Sequence, residues 1–174
     1  MVRCRVLAGA TKCLTRPRTI AQQAALGSLR SPLFAALSVM EKLVPITGEC
    51  FCGSIKYQVD GKLRDAKSCH CSRCRKAFNS QSSAAAFVEP GNFKWLSGEE
   101  LLTSYVGEHG YGLQFCKTCG STLCTIYNGE ILQVSLGCVN GEPDIEIGQH
   151  IFVGSKANWE IIPEGVVRFE EGPK

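Results

Sequence analysis

From Gly48 onward, hydrophobic and polar residues alternate in short runs, a pattern typical of half-buried β-strands. Ile55, Tyr57 and Val59 alternate with polar residues and define the first run. Turn residues of the Gly, Asn, Pro and Asp types separate the runs. Helix signals are weak, with a single turn predicted over residues 98–101. The pattern therefore predicts a mainly antiparallel β fold with few short helices. Further strands are predicted at residues 84–88, 93–96, 102–106, 112–115, 122–127, 131–136 and 150–153.

Residues 1–39 differ in composition from the rest of the chain. They contain six basic residues and no acidic one, and they are rich in Ala, Leu, Ser and Thr. With an amphipathic helix predicted over residues 20–44, this segment is typical of a mitochondrial transit peptide. Two other interpretations stay open, a true start at Met40 and a functional basic arm. The predicted organisation is a basic leader over residues 1–39 followed by one domain over residues 46–170.

Charge and hydropathy exclude some classes of partner. Beyond the leader, acidic residues outnumber basic ones, which does not favour a nucleic-acid-binding surface. No apolar run approaches the roughly 20 residues that a membrane-spanning helix needs. We therefore expect no membrane association and no nucleic-acid partner. The expected location is intracellular, mitochondrial if the leader is a transit peptide and otherwise cytoplasmic or nuclear.

Eleven cysteines is a high number for 174 residues, and their spacing indicates metal binding. Cysteines two or three residues apart are poor partners for one another in disulfides, and the total is odd. Zinc bound by thiolates in a reducing compartment is the favoured interpretation, with iron–sulfur binding as an alternative. Cys124 and Cys138 stand alone and are predicted to be small buried residues. The clustered cysteines are Cys50, Cys52, Cys69, Cys71, Cys74, Cys116 and Cys119.

Two of the clusters are predicted to share one structural zinc. Cys116 and Cys119 are separated by two residues and are followed by Gly120, which is typical of a zinc knuckle. Cys50 and Cys52 supply the complementary pair, because residues i and i+2 of an extended segment face the same side. These four thiolates would fill the coordination of one ion and tie the start of the domain to its middle.

After this site is filled, no fourth cysteine from a cluster remains to complete the third cluster. Cys69, Cys71 and Cys74 can converge on one ion, and three protein ligands with an open position are usual for catalytic zinc. The alternative is that His70 closes the site. Against it, consecutive residues of an extended chain point in opposite directions. The sequence thus predicts two zinc ions per chain, one in a closed site and one in an open site.

Four sequence stretches resemble the family of the glutathione-dependent formaldehyde-activating enzyme and centromere protein V. They are GECFCGSIKY at 48–57, CHCSRCR at 69–75, FCKTCG at 115–120 and HIFVGSK at 150–156. The resemblance implies a fold of twisted β-sheets of the β-tent type and the same division into a structural and a catalytic zinc site. It also implies addition of glutathione to formaldehyde and a place among the carbon–sulfur lyases.

Three further residues are candidates for the chemistry at the open site. Zinc lowers the pKa of a thiol, so an open position suits glutathione. Arg75 follows the last cysteine of the cluster and is the predicted partner of a glutathione carboxylate, with Lys156 as a second candidate. His150 is a candidate proton relay, so the predicted catalytic residues are His150 and the three cysteines. An ordinary structural or surface role is the alternative for each of these three residues.

Two functional hypotheses follow from these residues. The first is a zinc-dependent carbon–sulfur lyase that acts on glutathione–aldehyde adducts, with glutathione or an adduct as its partner. Hydrolysis of a thioester or a similar bond is the competing chemistry at the same site. The second hypothesis is a non-enzymatic zinc-scaffolded binding module for chromatin or for a protein partner, because fold and function are separable.

Overall fold

The computed structural model describes residues 44–173, which form a mainly β fold as the sequence predicts. Within these residues the one α-helix, α1, spans Ser72–Phe78, and short 3-10 turns lie at Glu99–Leu101, Leu136–Cys138 and Val153–Ser155. The strands are β1 (Ile46–Glu49), β2 (Lys56–Val59), β3 (Arg64–Cys69), β4 (Ser83–Phe87), β5 (Phe93–Ser97), β6 (Leu102–Val106), β7 (Tyr111–Cys116), β8 (Thr122–Tyr127), β9 (Glu130–Ser135), β10 (Gln149–Ile151) and β11 (Arg168–Phe169).

All of the predicted strands are present, with ends that agree or differ by a residue or two. The turn predicted over residues 98–101 is the 3-10 turn at Glu99–Leu101. The leader predicted over residues 1–39 lies outside the described residues, as does the helix predicted over residues 20–44 except for its last residue, the exposed Val44. No helix within residues 44–173 has the length and apolar character needed to cross a membrane.

The strands form two sheets. The smaller has the order β1-β2-β5, and the larger has the order β11-β10-β3-β4-β9-β8-β7-β6. Pairing is antiparallel except around β10, which runs parallel to both β3 and β11. In the β3–β10 pair, His150 lies opposite Ser68 and Ile151 lies opposite Cys69. This parallel pair, which the sequence pattern does not predict, brings the C-terminal motif beside the Cys69–Cys74 cluster.

The core is built on the alternation that opens the pattern. Ile55, Tyr57 and Val59 are fully buried. The Tyr57 ring stacks on Phe93, with 5.2 Å between the ring centroids, and meets Trp95 edge-on at 6.1 Å. Burying such large side chains is the main source of stability in a small β domain. The three aromatic residues of this cluster lie on β2 and β5 of the smaller sheet. In the sequence, β2 closely follows the first cysteine pair.

Candidate metal centres

The four sulfur atoms of Cys50, Cys52, Cys116 and Cys119 lie within 4.8 Å of one another. The Sγ atoms of Cys50 and Cys52 are 3.4 Å apart, and those of Cys52 and Cys116 are 3.9 Å apart. Tetrahedral zinc with bonds of about 2.3 Å to sulfur requires sulfurs roughly 3.8 Å apart. The geometry and the soft thiolate donors therefore fit zinc.

Each cysteine pair of this group is held in a tight turn that ends in glycine. The amide of Gly53 donates to the carbonyl oxygen of Cys50 at 2.8 Å, and the amide of Gly120 donates to that of Cys116 at 2.8 Å. Gly53 has φ 72° and Gly120 has φ 76°, a region that side-chain-bearing residues rarely adopt. The glycines after both pairs, singled out in the sequence, are thus required by the backbone.

Ser121 joins the two turns and is a residue that the sequence analysis did not identify. Its Oγ accepts a hydrogen bond from the amide of Phe51 at 2.9 Å and lies 3.4 Å from the Sγ of Cys119. One hydroxyl therefore touches a residue between the first two ligands and a ligand of the second pair. Its only sequence signal is its position directly after the knuckle glycine.

The environments of these thiols differ in electrostatics. Burial raises the pKa of Cys50 to about 11. Burial also acts to raise the pKa of Cys119, but hydrogen bonds from the side chain and backbone of Ser121 outweigh it and lower the value to about 6. Hydrogen bonds from Ser54 lower the pKa of Cys52. Binding of a metal ion must therefore displace the proton of the buried Cys50 thiol in particular.

The sulfur atoms of Cys69, Cys71 and Cys74 form the second group and also lie within 4.8 Å of one another. Cys69 ends β3, Cys71 is the N-cap of α1, and Cys74 lies in the first turn of that helix. The Sγ of Cys71 accepts a hydrogen bond from the amide of Cys74 at 3.4 Å, the role that an N-cap side chain usually plays. The strand-to-helix junction therefore brings the three sulfurs together.

Thiolate character in this group is concentrated on Cys74. Its pKa is lowered to about 6 because the Cys69 thiol donates a hydrogen bond to it, an effect that outweighs burial. Ser83, Cys71 and the charge of Arg73 act in the same direction. The pKa of Cys69 is raised by its hydrogen bond to Cys74 and by burial. A thiolate stabilised in this way is a ready ligand for a soft cation.

His70 takes no part in this group of sulfurs, although it lies between two of its members. The residue is 1% exposed, and its ring turns into the interior, where Nε2 lies 2.9 Å from Nδ1 of His150. Among the described residues, no His, Asp or Glu atom joins the three sulfurs. The arrangement favours an open three-thiolate site over one that His70 closes.

The comparison with known proteins agrees with these two cysteine groups. The family model of the glutathione-dependent formaldehyde-activating enzyme matches residues 45–155, which include all seven clustered cysteines. The chain belongs to this family. Membership confirms the resemblance stated from the motifs and suggests a glutathione-linked, formaldehyde-activating role. A crystal structure of a Rhodobacter sphaeroides protein is 24% identical, with a TM-score of 0.46, over 71% of this chain and 98% of that chain.

In this family member, the half-buried His150 belongs to a chain of three side chains, of which His70 and Glu160 are buried. Nδ1 of His70 lies 2.6 Å from Oε1 of Glu160, a short contact that is poorly aligned for a hydrogen bond and therefore mainly electrostatic. The rings of His70 and His150 stack with 5.1 Å between centroids. Burial, His70 and Arg168 lower the pKa of His150, while Glu160 opposes them. Glu160 is a second residue that the sequence analysis missed, and nothing in its local sequence marks it.

Arg75 lies on α1 and lines an open cleft of about 530 Å³. Its Nη2 donates to the carbonyl oxygen of Ser155 at 3.2 Å, and its buried Nε has no hydrogen-bond partner. Trp159, which is 66% exposed, lines the same cleft. The lining carries two cationic side chains and no acidic one, so the cleft suits an anionic ligand. The remaining lining residues are Lys76, Asn79, Ser80 and Gln81.

Lys156 lines a different cleft, of about 380 Å³, together with Arg168, Glu160 and Glu170. Its Nζ donates to the carbonyl oxygens of Ala157 at 3.4 Å and of Glu160 at 3.1 Å. The structure therefore does not bring the two predicted substrate-binding residues into one cleft. Arg75 shares a helix with the cysteine group, while Lys156 is engaged by its own loop.

Proposed function

We propose that this protein is a zinc-dependent carbon–sulfur lyase acting on glutathione–aldehyde adducts, similar to an S-hydroxymethylglutathione synthase. The observation that carries the proposal is the group of Cys69, Cys71 and Cys74, whose three sulfurs converge without a fourth ligand from residues 44–173. Family membership supports a glutathione-linked substrate and an enzymatic role. Under this proposal each chain binds two zinc ions.

The two cysteine groups divide the work. The group of Cys50, Cys52, Cys116 and Cys119 supplies four thiolates and holds a structural ion, while the three-cysteine group leaves one tetrahedral position for substrate. Zinc bound there lowers the pKa of an incoming thiol and so favours the nucleophilic thiolate at neutral pH.

The reaction itself has a simple balance. The thiolate sulfur of glutathione forms a bond to the aldehyde carbon, the π electrons of the carbonyl move to its oxygen, and that oxygen takes up a proton. The reverse direction breaks the same carbon–sulfur bond. His150 is our candidate for the proton transfer, because His70 occupies its Nδ1 and leaves Nε2 available. Nε2 would accept the proton that the glutathione thiol loses and return it to the oxygen of the aldehyde. The lowered pKa of His150 keeps its ring neutral at neutral pH.

We assign recognition of the peptide part of the substrate first to Arg75. Its side chain follows the last cysteine of the group in sequence, and its cleft offers a second cation, amides and the indole of Trp159. A guanidinium binds a carboxylate through two parallel hydrogen bonds. Lys156 stays a second candidate, for a substrate that extends into the cleft where it lies.

The test combines zinc content with turnover in the full-length protein. We expect about two zincs per chain and accelerated consumption of glutathione and formaldehyde, followed by NMR against the uncatalysed rate. Cys74→Ser should lose one zinc and the acceleration while keeping its circular dichroism spectrum. Cys124→Ser, which changes a buried cysteine outside both groups, is the matched control and should keep both zincs. Equal turnover by Cys74→Ser and the unaltered protein would contradict the proposal.

One observation favours the second candidate function, a zinc-scaffolded binding module. Tyr105, Tyr111 and Tyr127 are exposed at the β6–β7–β8 end of the larger sheet, and the Tyr111 and Tyr127 rings lie 4.5 Å apart. Exposed aromatic clusters are typical of interaction surfaces. Two bound zincs without any acceleration of the reaction would favour this function over the lyase.

A further inference from the structure

We infer that Glu160 is a positioning residue for the three-cysteine group, acting through His70 together with His150. The inference rests on the proposed function in one respect, namely that Cys69, Cys71 and Cys74 bind zinc. It concerns how the chain holds two of these ligands in place.

His70 lies between two of the proposed zinc ligands in the sequence. The backbone amide of His70 donates to the carbonyl oxygen of Ile151 at 3.0 Å, and its ring contacts Glu160 on one side and His150 on the other. Three anchors therefore hold one residue, and its neighbours on either side are Cys69 and Cys71. Any rotation of His70 about its backbone would move both sulfurs.

The contact between His70 and Glu160 is buried. The side chains of His70 and Glu160 are 2% and 1% exposed. Oε2 of Glu160 is buried and has no hydrogen-bond partner, so the contact with His70 is the carboxylate's one close side-chain partner among the described residues. A buried carboxylate is costly unless it is paired, so the Glu160–His70 contact is strongly constrained.

The contacts of the two histidine rings indicate which ring nitrogens carry protons. The carboxylate oxygen of Glu160 lies 2.6 Å from Nδ1 of His70, so its negative charge favours a proton on that atom, and Nε2 then accepts from Nδ1–H of His150. Glu160 thus biases the tautomer of both rings, whose planes lie at 24° to one another. Loss of the carboxylate would free His70 to take the other tautomer and to turn.

Outer residues that hold metal ligands in this way usually affect metal affinity by about 10–100-fold. Glu160 lies beyond residues 45–155, the stretch that matches the family model. The positioning role therefore comes from a C-terminal segment outside the matched residues. That segment reaches the cysteine group through β10 and the loop that follows it.

The experiment compares zinc affinities of full-length Glu160→Ala, Glu160→Gln and the control Glu89→Gln. Glu89 is an exposed carboxylate that pairs with Arg64 at 2.8 Å. Arg64 begins β3, and Cys69 lies at the opposite end of that strand. Competition with a chromophoric chelator measures both zinc sites in one titration, and Cys74→Ser identifies the phase that belongs to the three-cysteine group. Cobalt loading adds the thiolate-to-cobalt absorption bands as a report of ligand geometry.

We expect Glu160→Ala to weaken the three-cysteine group by about 10–100-fold and to change its cobalt bands, with the four-cysteine group unchanged. The zinc affinity of the three-cysteine group in Glu160→Gln should lie between those of Glu160→Ala and the unaltered protein, because glutamine keeps an acceptor oxygen and loses the charge. Equal weakening of both groups, or of neither, would overturn the inference. If Glu160→Ala fails to fold, Glu160→Asp carries the same test, since it only draws the carboxylate back by one methylene.

The outcomes also separate this inference from the proposed function. Two zincs, a selective effect of Glu160 and no turnover would overturn the lyase alone. Turnover with two zincs and no effect of Glu160 would overturn the positioning role alone. A single zinc in the unaltered chain, with Cys74→Ser releasing nothing further, would overturn both.

Discussion

The sulfur atoms of Cys52 and Cys116 lie 3.9 Å apart, although 64 residues separate them in the sequence. Cys52 follows β1 of the smaller sheet, and Cys116 ends β7 of the larger sheet. A metal ion between them would join the two sheets and close a long loop. Closing such a loop lowers the conformational entropy of the chain, and bonds to the metal would offset that cost. We therefore expect a metal ion in the four-cysteine group to add a strong link between the sheets, which also share one buried core.

This link predicts that Cys116→Ser is severely destabilised. Structural zinc sites contribute apparent binding free energies of about 10–16 kcal/mol in small domains, so loss of one ligand should leave the chain largely unfolded at 37 °C. Thermal unfolding followed by circular dichroism measures this. Cys124→Ala is the control, since Cys124 is equally buried but isolated, and we expect a cost of about 1 kcal/mol. Similar melting temperatures for the two variants would contradict a structural role for the group.

The sequence alone predicts the fold class and both cysteine groups, because each depends on local pattern. Alternation over Ile55, Tyr57 and Val59 marks a buried face, and cysteine spacing marks which sulfurs can meet. Cys124 is buried as predicted, whereas Cys138, predicted to be buried as well, is half-buried. Strand alternation and the spacing within each cluster need only a few neighbouring residues, whereas the grouping of the Cys50 and Cys116 pairs was inferred by counting ligands.

Helix α1, the parallel pairing of β10 and the role of Glu160 could not be predicted in the same way. α1 has only 7 residues and buries none of them fully, so it leaves no periodic apolar pattern. Its N-cap is a cysteine, which is not among the usual capping residues. The contact between Glu160 and His70 depends on tertiary packing across β10, and no local signal encodes it.

Removal of zinc by a chelator should proceed in two phases. Among the described residues the three-cysteine group supplies three thiolates and the other group supplies four, so a chelator should displace the ion of the three-cysteine group first. The first phase should abolish turnover and leave the circular dichroism spectrum unchanged, and the second should unfold the domain. Release measured by absorbance alongside circular dichroism tests this order. A single phase that coincides with unfolding would show that both groups hold the fold.

Gly48→Ala should destabilise the smaller sheet. Gly48 lies opposite Tyr57 in the β1–β2 pair, and a Cβ at this position would overlap the buried phenol ring. Overpacking of this kind costs about 1–3 kcal/mol, and the melting temperature should fall accordingly. Gly148→Ala is the control, because a Cβ there meets no atom within 4 Å. An unchanged melting temperature in Gly48→Ala would mean that the Tyr57 ring moves aside without cost.

Arg75→Ala should raise KM for a glutathione adduct with a smaller change in kcat. A hydrogen bond to a charged partner contributes about 1.5–3 kcal/mol, so we expect KM to rise about tenfold or more. Arg75→Lys should restore only part of the affinity, because an ammonium cannot make the two parallel hydrogen bonds of a guanidinium. Arg64→Ala, which removes an exposed arginine paired with Glu89, is the control. A loss confined to kcat would instead place Arg75 with the reacting atoms.

Binding of glutathione should change the fluorescence of Trp159. The chain has two tryptophans, and Trp95 packs edge-on against Phe93 with 4.7 Å between their centroids. In a Trp95→Phe background, all indole emission comes from Trp159, which is 66% exposed on the wall of the Arg75 cleft. A ligand that covers this indole removes water from it, so the emission should shift to shorter wavelength and saturate with ligand concentration.

The same titration in Arg75→Ala provides the control for this signal, since a ligand held by Arg75 should then need a higher concentration to produce the same shift. Turnover without any change in emission would place the substrate away from this cleft. The cleft lined by Lys156 and Arg168 would then become the stronger candidate, because it holds the other pair of cationic side chains near the C-terminal motif.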